Sequence, residues 1–156
     1  MATWHEFALA APGLAAAIRD LVHQYGPGMG YLATVRADGG PRVHPVSPLI
    51  TEDGFYCCVI DSPKRRDLER DGRYALHSGP PEDSADEAYV TGRARRVDDP
   101  ERIAWAVREQ RAAPHVDWWL FEFTVEVAMI SRHSSMERWD PSYQIWRDPS
   151  LGDHVQ

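Results

Sequence analysis

Lysine is almost absent from this 156-residue chain, and cysteine is nearly so. Lys64 is the single lysine among 17 basic residues, so almost every positive side chain is an arginine. The two cysteines, Cys57 and Cys58, are neighbours, and a disulfide between adjacent residues would strain the peptide that joins them. We therefore expect two reduced thiols and a cytoplasmic protein.

The chain also lacks long apolar runs and an excess of positive charge. Pro12, Arg19 and Asp20 interrupt the only alanine-rich segment, so we expect no membrane span. A net charge of −7 argues against a nucleic-acid partner, because phosphate-backbone binding needs a basic surface. The seven histidines are scattered, and no Cys/His spacing fits a metal, so no metal site is predicted.

The length suits one domain, which we expect to span residues 1–147 and to be followed by a loosely held tail, 148–156. Residues 3–25 read as two short helices or one bent helix. Thr3 and Glu6 have the spacing of a capping box, and apolar residues recur at roughly helical intervals after them.

The rest of the chain is mostly β. Short β-type runs separated by turns predict strands over 31–35, 42–50, 55–60, 73–78 and 88–97, the first three forming an antiparallel meander. Alternation from Trp118 to Ile130 predicts one long half-buried strand with Val125, Val127 and Met129 on its inner side. A short strand around 139–146 follows. The fold class is then a mostly β, α+β protein: a six- to seven-stranded antiparallel Greek-key split β-barrel with short helices at the connections.

A strand that runs into a helix start is the most informative local feature. Ser62 is expected to cap the helix with its side chain, Pro63 suits the first turn, and Gly72 is expected to end it. A helix N-terminus attracts anions, so Lys64 and Arg65 in that turn favour a phosphate site. The alternative is a solvated basic helix start in an arginine-rich sequence.

Several motifs, in order, resemble the pyridoxamine 5'-phosphate oxidase-like family of FMN-binding split β-barrels. They are the runs 41–47, 55–58, 62–68, 72–75 and 89–94. The resemblance implies a homodimer with FMN at the subunit interface. It assigns the flavin ring to the strand Arg42, Val43, His44, Pro45, Val46 and Ser47, its border to Cys57 and Cys58, and its phosphate to Lys64 with a basic neighbour and to Arg42. Together with the helix start, the predicted cofactor site also includes Ser62, Pro63 and Arg65.

The same resemblance leaves alternatives open. Ser47 stands where full pyridoxamine phosphate oxidases carry a substrate-binding lysine, so vitamin B6 oxidation is not expected. We expect an oxidoreductase acting on a small organic substrate, with the flavin doing the chemistry and no side-chain nucleophile. A deazaflavin (F-420) reductase, a haem-binding or haem-degrading barrel, and a non-catalytic flavin-binding barrel are the alternatives. His44 could contact the ring, or it could be an ordinary strand histidine.

Overall fold

The computed structural model describes residues 1–135 and 137–154 and contains, within them, four α-helices and nine strands. The helices are α1 (Trp4–Ala10), α2 (Pro12–Val22), α3 (Pro63–Arg70) and α4 (Pro100–Glu109). The strands are β1 (Gly30–Val35), β2 (Pro41–Val46), β3 (Leu49–Ile50), β4 (Phe55–Val59), β5 (Arg73–Ser78), β6 (Glu87–Val97), β7 (Trp119–Phe123), β8 (Val127–Arg132) and β9 (Ser142–Arg147).

The N-terminal segment forms two helices, α1 and α2, and α2 packs against strands β6 and β8 of the sheet. The predicted capping box is present, because the Glu6 N–H donates to the Thr3 hydroxyl while the Glu6 carboxylate accepts from the Thr3 N–H at 2.7 Å. Phe7 and Ile18 are fully buried and join the main hydrophobic core with strands β4, β5 and β7. Burial of these apolar faces holds the two short helices in place.

All nine strands belong to one antiparallel sheet in the order β2-β1-β5-β6-β7-β4-β3, with β8 and β9 continuing from β6. The predicted fold class, a mostly β split barrel with short helices at the connections, is confirmed. The strand number is higher than predicted because two predicted strands are each divided in two.

The predicted strand 42–50 is the first of these corrections. Residues 41–46 pair with β1 at one end of the strand order, whereas Leu49 and Ile50 pair with β4 at the other end. Ser47 and Pro48 connect the two, and a proline has no N–H to give to a ladder. The predicted three-strand meander is therefore wrong: β1–β2 and β3–β4 are separate hairpins joined across the open side of the barrel.

The predicted strand 118–130 is the second correction. Ala94 pairs with Phe123 and Thr91 pairs with Val127, so residues 92–93 of β6 face residues 124–126, one residue more. The extra residue is a β-bulge, and it reverses the alternation. After Val125 the residues that join the main core cluster are Ala128 and Ile130, whereas Val127 is buried outside that cluster and Met129 is only partly buried. Gly92 permits the close approach, since a Cβ there would lie 2.0 Å from the Thr124 carbonyl oxygen.

The C-terminal region forms the edge strand β9 and then the 3-10 helix Pro149–His154. Asp148, the first residue of the predicted loose tail, is buried and accepts a 2.8 Å hydrogen bond from the Ala2 N–H. Its carboxylate also lies 3.5 Å from the terminal amino group of Met1. The start of the tail is thus fixed to the N-terminus, and the prediction for residues 155 and 156 lies outside the described residues. None of the helices in the described ranges is long and apolar enough to cross a membrane.

Candidate functional site

A cavity lies where β2 and β4 end and α3 begins. It has a volume of about 760 Å³ and mostly apolar walls. Its lining comes from the α2–β1 connection, the end of β2, the end of β4, the first turn of α3 and the segment after α4. The lining residues are Tyr25, Pro27, Gly28, Met29, Pro45, Val46, Ser47, Cys58, Val59, Ile60, Lys64, Gln110, Ala112, Ala113 and Trp118.

The connection between β2 and β3 shapes one wall of this cavity. A Cβ on Gly28 would lie 1.7 Å from the Pro48 carbonyl oxygen, so the α2–β1 connection can pass so close only with glycine at that position. Gln110 secures the same wall from the other side. Its amide nitrogen donates to the Ser47 carbonyl, and its amide oxygen accepts from the Cys58 N–H at 3.1 Å.

Lys64 is the one charged side chain among the residues that line the cavity. It is half-buried, and it forms no ion pair with any residue in the described part of the chain. It sits in the first turn of α3, where the helix dipole adds to its positive charge. An anion bound in the cavity would therefore meet one ammonium group and a helix N-terminus, beside apolar walls.

The helix start itself differs from the prediction in one bond. Ser62 is the N-cap residue and Pro63 occupies the first turn, as expected, but the Ser62 hydroxyl donates to the Ile60 carbonyl at 3.0 Å instead of accepting from the helix. The helix ends at Arg70 with Asp71 as its C-cap, one residue before Gly72. Neither Ser62 nor Pro63 lines the cavity.

Arg42 points away from the cavity and binds a buried carboxylate. Its Nε donates to Asp67 Oδ2 at 2.7 Å, and the same carboxylate accepts from the Thr34 hydroxyl at 2.9 Å and from Arg70 at 3.2 Å. Burial would raise the pKa of Asp67, but these hydrogen bonds outweigh it and hold the pKa below its ordinary value. Arg42 thereby joins β2 to α3.

The guanidinium of Arg65 is also engaged by other groups of the protein. Only 7% of it is exposed, and its Nη1 donates to the Asp117 carbonyl at 3.0 Å. Its guanidinium lies 4.0 Å from the centre of the Trp119 ring, and that of Arg96 lies 3.5 Å from the same ring. Arg65 thus fixes the segment before β7 instead of lining the cavity.

The two cysteines lie on opposite sides of β4. Cys57 is in the hydrophobic core, and Cys58 lines the cavity. Burial raises the pKa of Cys57 to about 12 and that of Cys58 to about 11. Both thiols are free and protonated near neutral pH, so neither is an activated nucleophile.

The predicted ring-binding strand divides along its length. Pro45, Val46 and Ser47 line the cavity, whereas Arg42, Val43 and His44 do not. Val43 is 61% exposed on the outer face of β2, and His44 faces inward opposite Leu32. Of the predicted site residues, the structure brings together at this cavity only Pro45, Val46, Ser47, Cys58 and Lys64.

Sequence reasoning missed the lining residues that come from distant parts of the chain. Gln110 and Trp118 follow α4, and Tyr25 and Met29 precede β1. Trp118 was interpreted as the start of a strand, and none of these four residues was predicted to bind the cofactor. No local pattern links them, because the fold alone brings their segments to one cavity.

A comparison with protein families decides the relationship that the fold suggests. The model of the pyridoxamine 5'-phosphate oxidase family matches residues 14–147, which include every strand of the sheet. The chain belongs to this family. The resemblance drawn from the motifs around Lys64 is therefore confirmed, although no curated protein sequence matches the chain.

Several solved structures share the fold of this pyridoxamine 5'-phosphate oxidase family member. A haem-binding protein from Mycobacterium smegmatis superposes with a TM-score of 0.58 at 19% identity, over 81% of this chain and 57% of that one. HupZ from Group A Streptococcus superposes with a TM-score of 0.60 at 18% identity, over 72% of this chain and 90% of that one. A NimC/NimA family protein from Clostridium acetobutylicum superposes with a TM-score of 0.60 at 17% identity, over 86% of this chain and 93% of that one.

Membership of this family implies a flavin or a haem, and the cavity suits a flavin in part. Its volume lies within the range of about 300–1,000 Å³ typical of cofactor sites, and its walls are apolar enough for a flat ring system. Lys64 supplies a cation for a phosphate. The predicted second and third cations, Arg42 and Arg65, are bound to carboxylate or carbonyl oxygens instead.

Proposed function

We propose that the protein binds FMN in this cavity and acts as a flavin-dependent oxidoreductase on a small organic substrate. The observation that carries the proposal is the unpaired ammonium of Lys64, placed at the start of α3 beside an otherwise uncharged cavity. Lys64 would hold the phosphate, and Pro45, Val46 and Cys58 would contact the ring system. When bound, the flavin supplies hydride transfer, and the protein supplies position and an apolar surrounding.

A homodimer forms part of this proposal. The outer face of the sheet carries a row of aligned side chains across six strands: Pro45, Tyr31, His77, Tyr89, Met129 and Ile145. Beside this row lies the exposed Val43, and Tyr143 is exposed on β9. Exposed apolar side chains grouped on one face, here Tyr31, Val43, Tyr143 and Ile145, favour an interaction face. Pro45 belongs both to the row and to the cavity lining, so a second copy on this face would border the cavity.

Haem and deazaflavin are the competing ligands. The similar structure from Mycobacterium smegmatis and another, HutZ from Vibrio cholerae, are haem proteins by name, which makes haem the second candidate. No histidine lines the cavity among the described residues, and the His23 ring, near Gly28, accepts from the Ile50 N–H at 3.2 Å. The donor set of the cavity therefore favours a flavin. Free, unlinked thiols at Cys57 and Cys58 agree with a cytoplasmic location.

The proposal is tested by titrating the protein with FMN and riboflavin, which differ by the phosphate, while following flavin fluorescence. A hydrogen bond to a charged group contributes about 1.5–3 kcal/mol. Lys64→Met should therefore weaken FMN binding about ten- to a hundredfold and leave riboflavin binding unchanged. Arg66→Met is the matched control, because Arg66 is exposed and paired with Asp61 outside the cavity.

Three results would contradict the proposal. They are the absence of FMN binding at micromolar protein, equal losses of FMN and riboflavin in Lys64→Met, and preferential binding of haem or deazaflavin in parallel titrations. The dimer is tested by light scattering on the purified protein. Val43→Asp should shift it towards the monomer, whereas Leu9→Asp, on an exposed position of α1, should not.

A further inference from the structure

The segment between α4 and β7 forms a wall of the cavity and is held at both ends. At its start, Gln110 is bonded to Ser47 and Cys58. At its end, the buried Arg65 donates to the Asp117 carbonyl. Arg111, directly after α4, has a positive φ of 51° and closes the helix end: its N–H donates to the Arg108 carbonyl at 3.0 Å, and the Ala112 N–H donates to the Val107 carbonyl at 2.9 Å. This helix end and the two anchors together fix the path of the wall.

A second cavity lies behind the wall. It has a volume of about 450 Å³ and is lined by one face of α4, including Ile103 and Val107, and by Pro114 and Val116 of the wall. Trp118 is the only residue, in the part of the chain that the structure describes, that lines both cavities.

Trp118 is held in this position by its own hydrogen bond. Its indole Nε1 donates to the Ala113 carbonyl at 2.7 Å, across the wall segment. Its neighbours on the side of the first cavity, Ala112 and Ala113, are small. Trp118 is therefore the bulky residue at the border common to the two cavities, and we expect removal of its ring to join them.

We infer that Trp118 is a specificity-determining residue that limits the length of the ligand in the first cavity. The ligand class is an amphipathic anion, to which FMN itself belongs, with its acidic group at Lys64 and its apolar part directed towards Trp118, because Lys64 is the one charged group of an apolar lining. This inference rests on the proposed function only in treating the cavity as the ligand site. Arg65 and Gln110 are positioning residues for the wall.

The test uses the flavin-free protein and a fluorescent apolar anion, 8-anilinonaphthalene-1-sulfonate, displaced by straight-chain carboxylates from hexanoate to dodecanoate. Each further buried methylene should strengthen binding about fourfold until the chain meets the wall. In the wild type the gain should then stop. In Trp118→Ala the gain should continue to longer chains, so that the longest carboxylate binds at least about tenfold more tightly than it does to the wild type.

Two variants control for effects unrelated to the wall. Trp118→Phe keeps a ring and should retain the wild-type length limit. Trp139→Ala removes a tryptophan that is 81% exposed and lines neither cavity, and should change nothing. Urea unfolding checks that each variant folds, and Trp118→Val replaces the alanine variant if that one does not.

The inference is overturned if Trp118→Ala shows the same length limit as the wild type, or if Trp139→Ala shifts the limit equally. Absence of FMN binding to the wild type would refute the proposed cofactor without affecting the carboxylate series. An unchanged series with intact FMN binding would refute the role of Trp118 alone.

Discussion

Removal of the Asp67 charge tests whether Arg42 is a structural residue instead of a phosphate ligand. Asp67 is 3% exposed, and its carboxylate accepts hydrogen bonds from Arg42, Thr34 and Arg70. Asp67→Asn keeps the volume and one acceptor oxygen, but it leaves two guanidinium groups without their counter-charge. The structure therefore predicts a loss of stability with little effect on the cavity around Lys64.

The expected magnitude follows from burial. Removing one partner of a buried ion pair costs about 3–5 kcal/mol. The Arg42 side chain is 29% exposed and that of Arg70 is more so, and water can solvate the freed groups. We therefore expect the lower end, about 3 kcal/mol. In a chain of this length that corresponds to a fall in Tm of about 6–12 °C.

The assay is urea unfolding followed by tryptophan fluorescence, with Asp61→Asn as the matched control. Asp61 is exposed and pairs with Arg66 at 2.8 Å, and such surface pairs contribute at most about 1 kcal/mol. The reasoning is refuted if Asp67→Asn costs no more than Asp61→Asn, or if it abolishes FMN binding while leaving the free energy of unfolding unchanged.

The same carboxylate gives a pH dependence of known sign. The pKa of Asp67 is lowered in the folded state, so the folded protein holds its proton less tightly than the unfolded chain does. The stabilisation is complete above the unfolded pKa of about 3.9 and is lost as the pH falls through the folded pKa. The difference in the free energy of unfolding between the wild type and Asp67→Asn should therefore be constant near pH 7 and shrink below about pH 4.

Three further outcomes are expected. Gly92→Ala should lower the free energy of unfolding, measured in urea, by more than about 2 kcal/mol, because the added Cβ would collide with the Thr124 carbonyl. Gly13→Ala, which has open space around it in α2, should raise the free energy of unfolding by about 1 kcal/mol or less. Equal effects of the two variants would contradict the bulge. Cys58 should react slowly with iodoacetamide at pH 7.5 and faster as the pH approaches its pKa of about 11, as followed by mass spectrometry. Rapid labelling at neutral pH would contradict the raised pKa of this thiol. Asp148→Asn should lower Tm by several degrees, since this buried carboxylate fixes the N-terminus, and an unchanged melting curve would show that the contact contributes nothing.

Local chemistry was enough to predict the elements and the family. The Thr3–Glu6 capping box, the Pro63 helix start and the β-type runs depend on neighbours a few residues away, and these interactions form wherever the sequence places them. Alternation of side chains also indicated a barrel of antiparallel strands. It could not reveal the breaks at Pro48 and at Thr124, because a bulge is defined by the partner strand, here β6.

The use of the positive charges was decided only by the tertiary structure. Arg42, Lys64 and Arg65 are equivalent as cations in the sequence, but folding brings Asp67 to the first and the Asp117 carbonyl to the last, from 25 and 52 residues away. The sequence by itself determined that a lone lysine begins a helix after a strand. Three-dimensional packing decided that this lysine alone meets the cavity, because long-range partners neutralise or engage its neighbours and Trp118 closes the opposite wall.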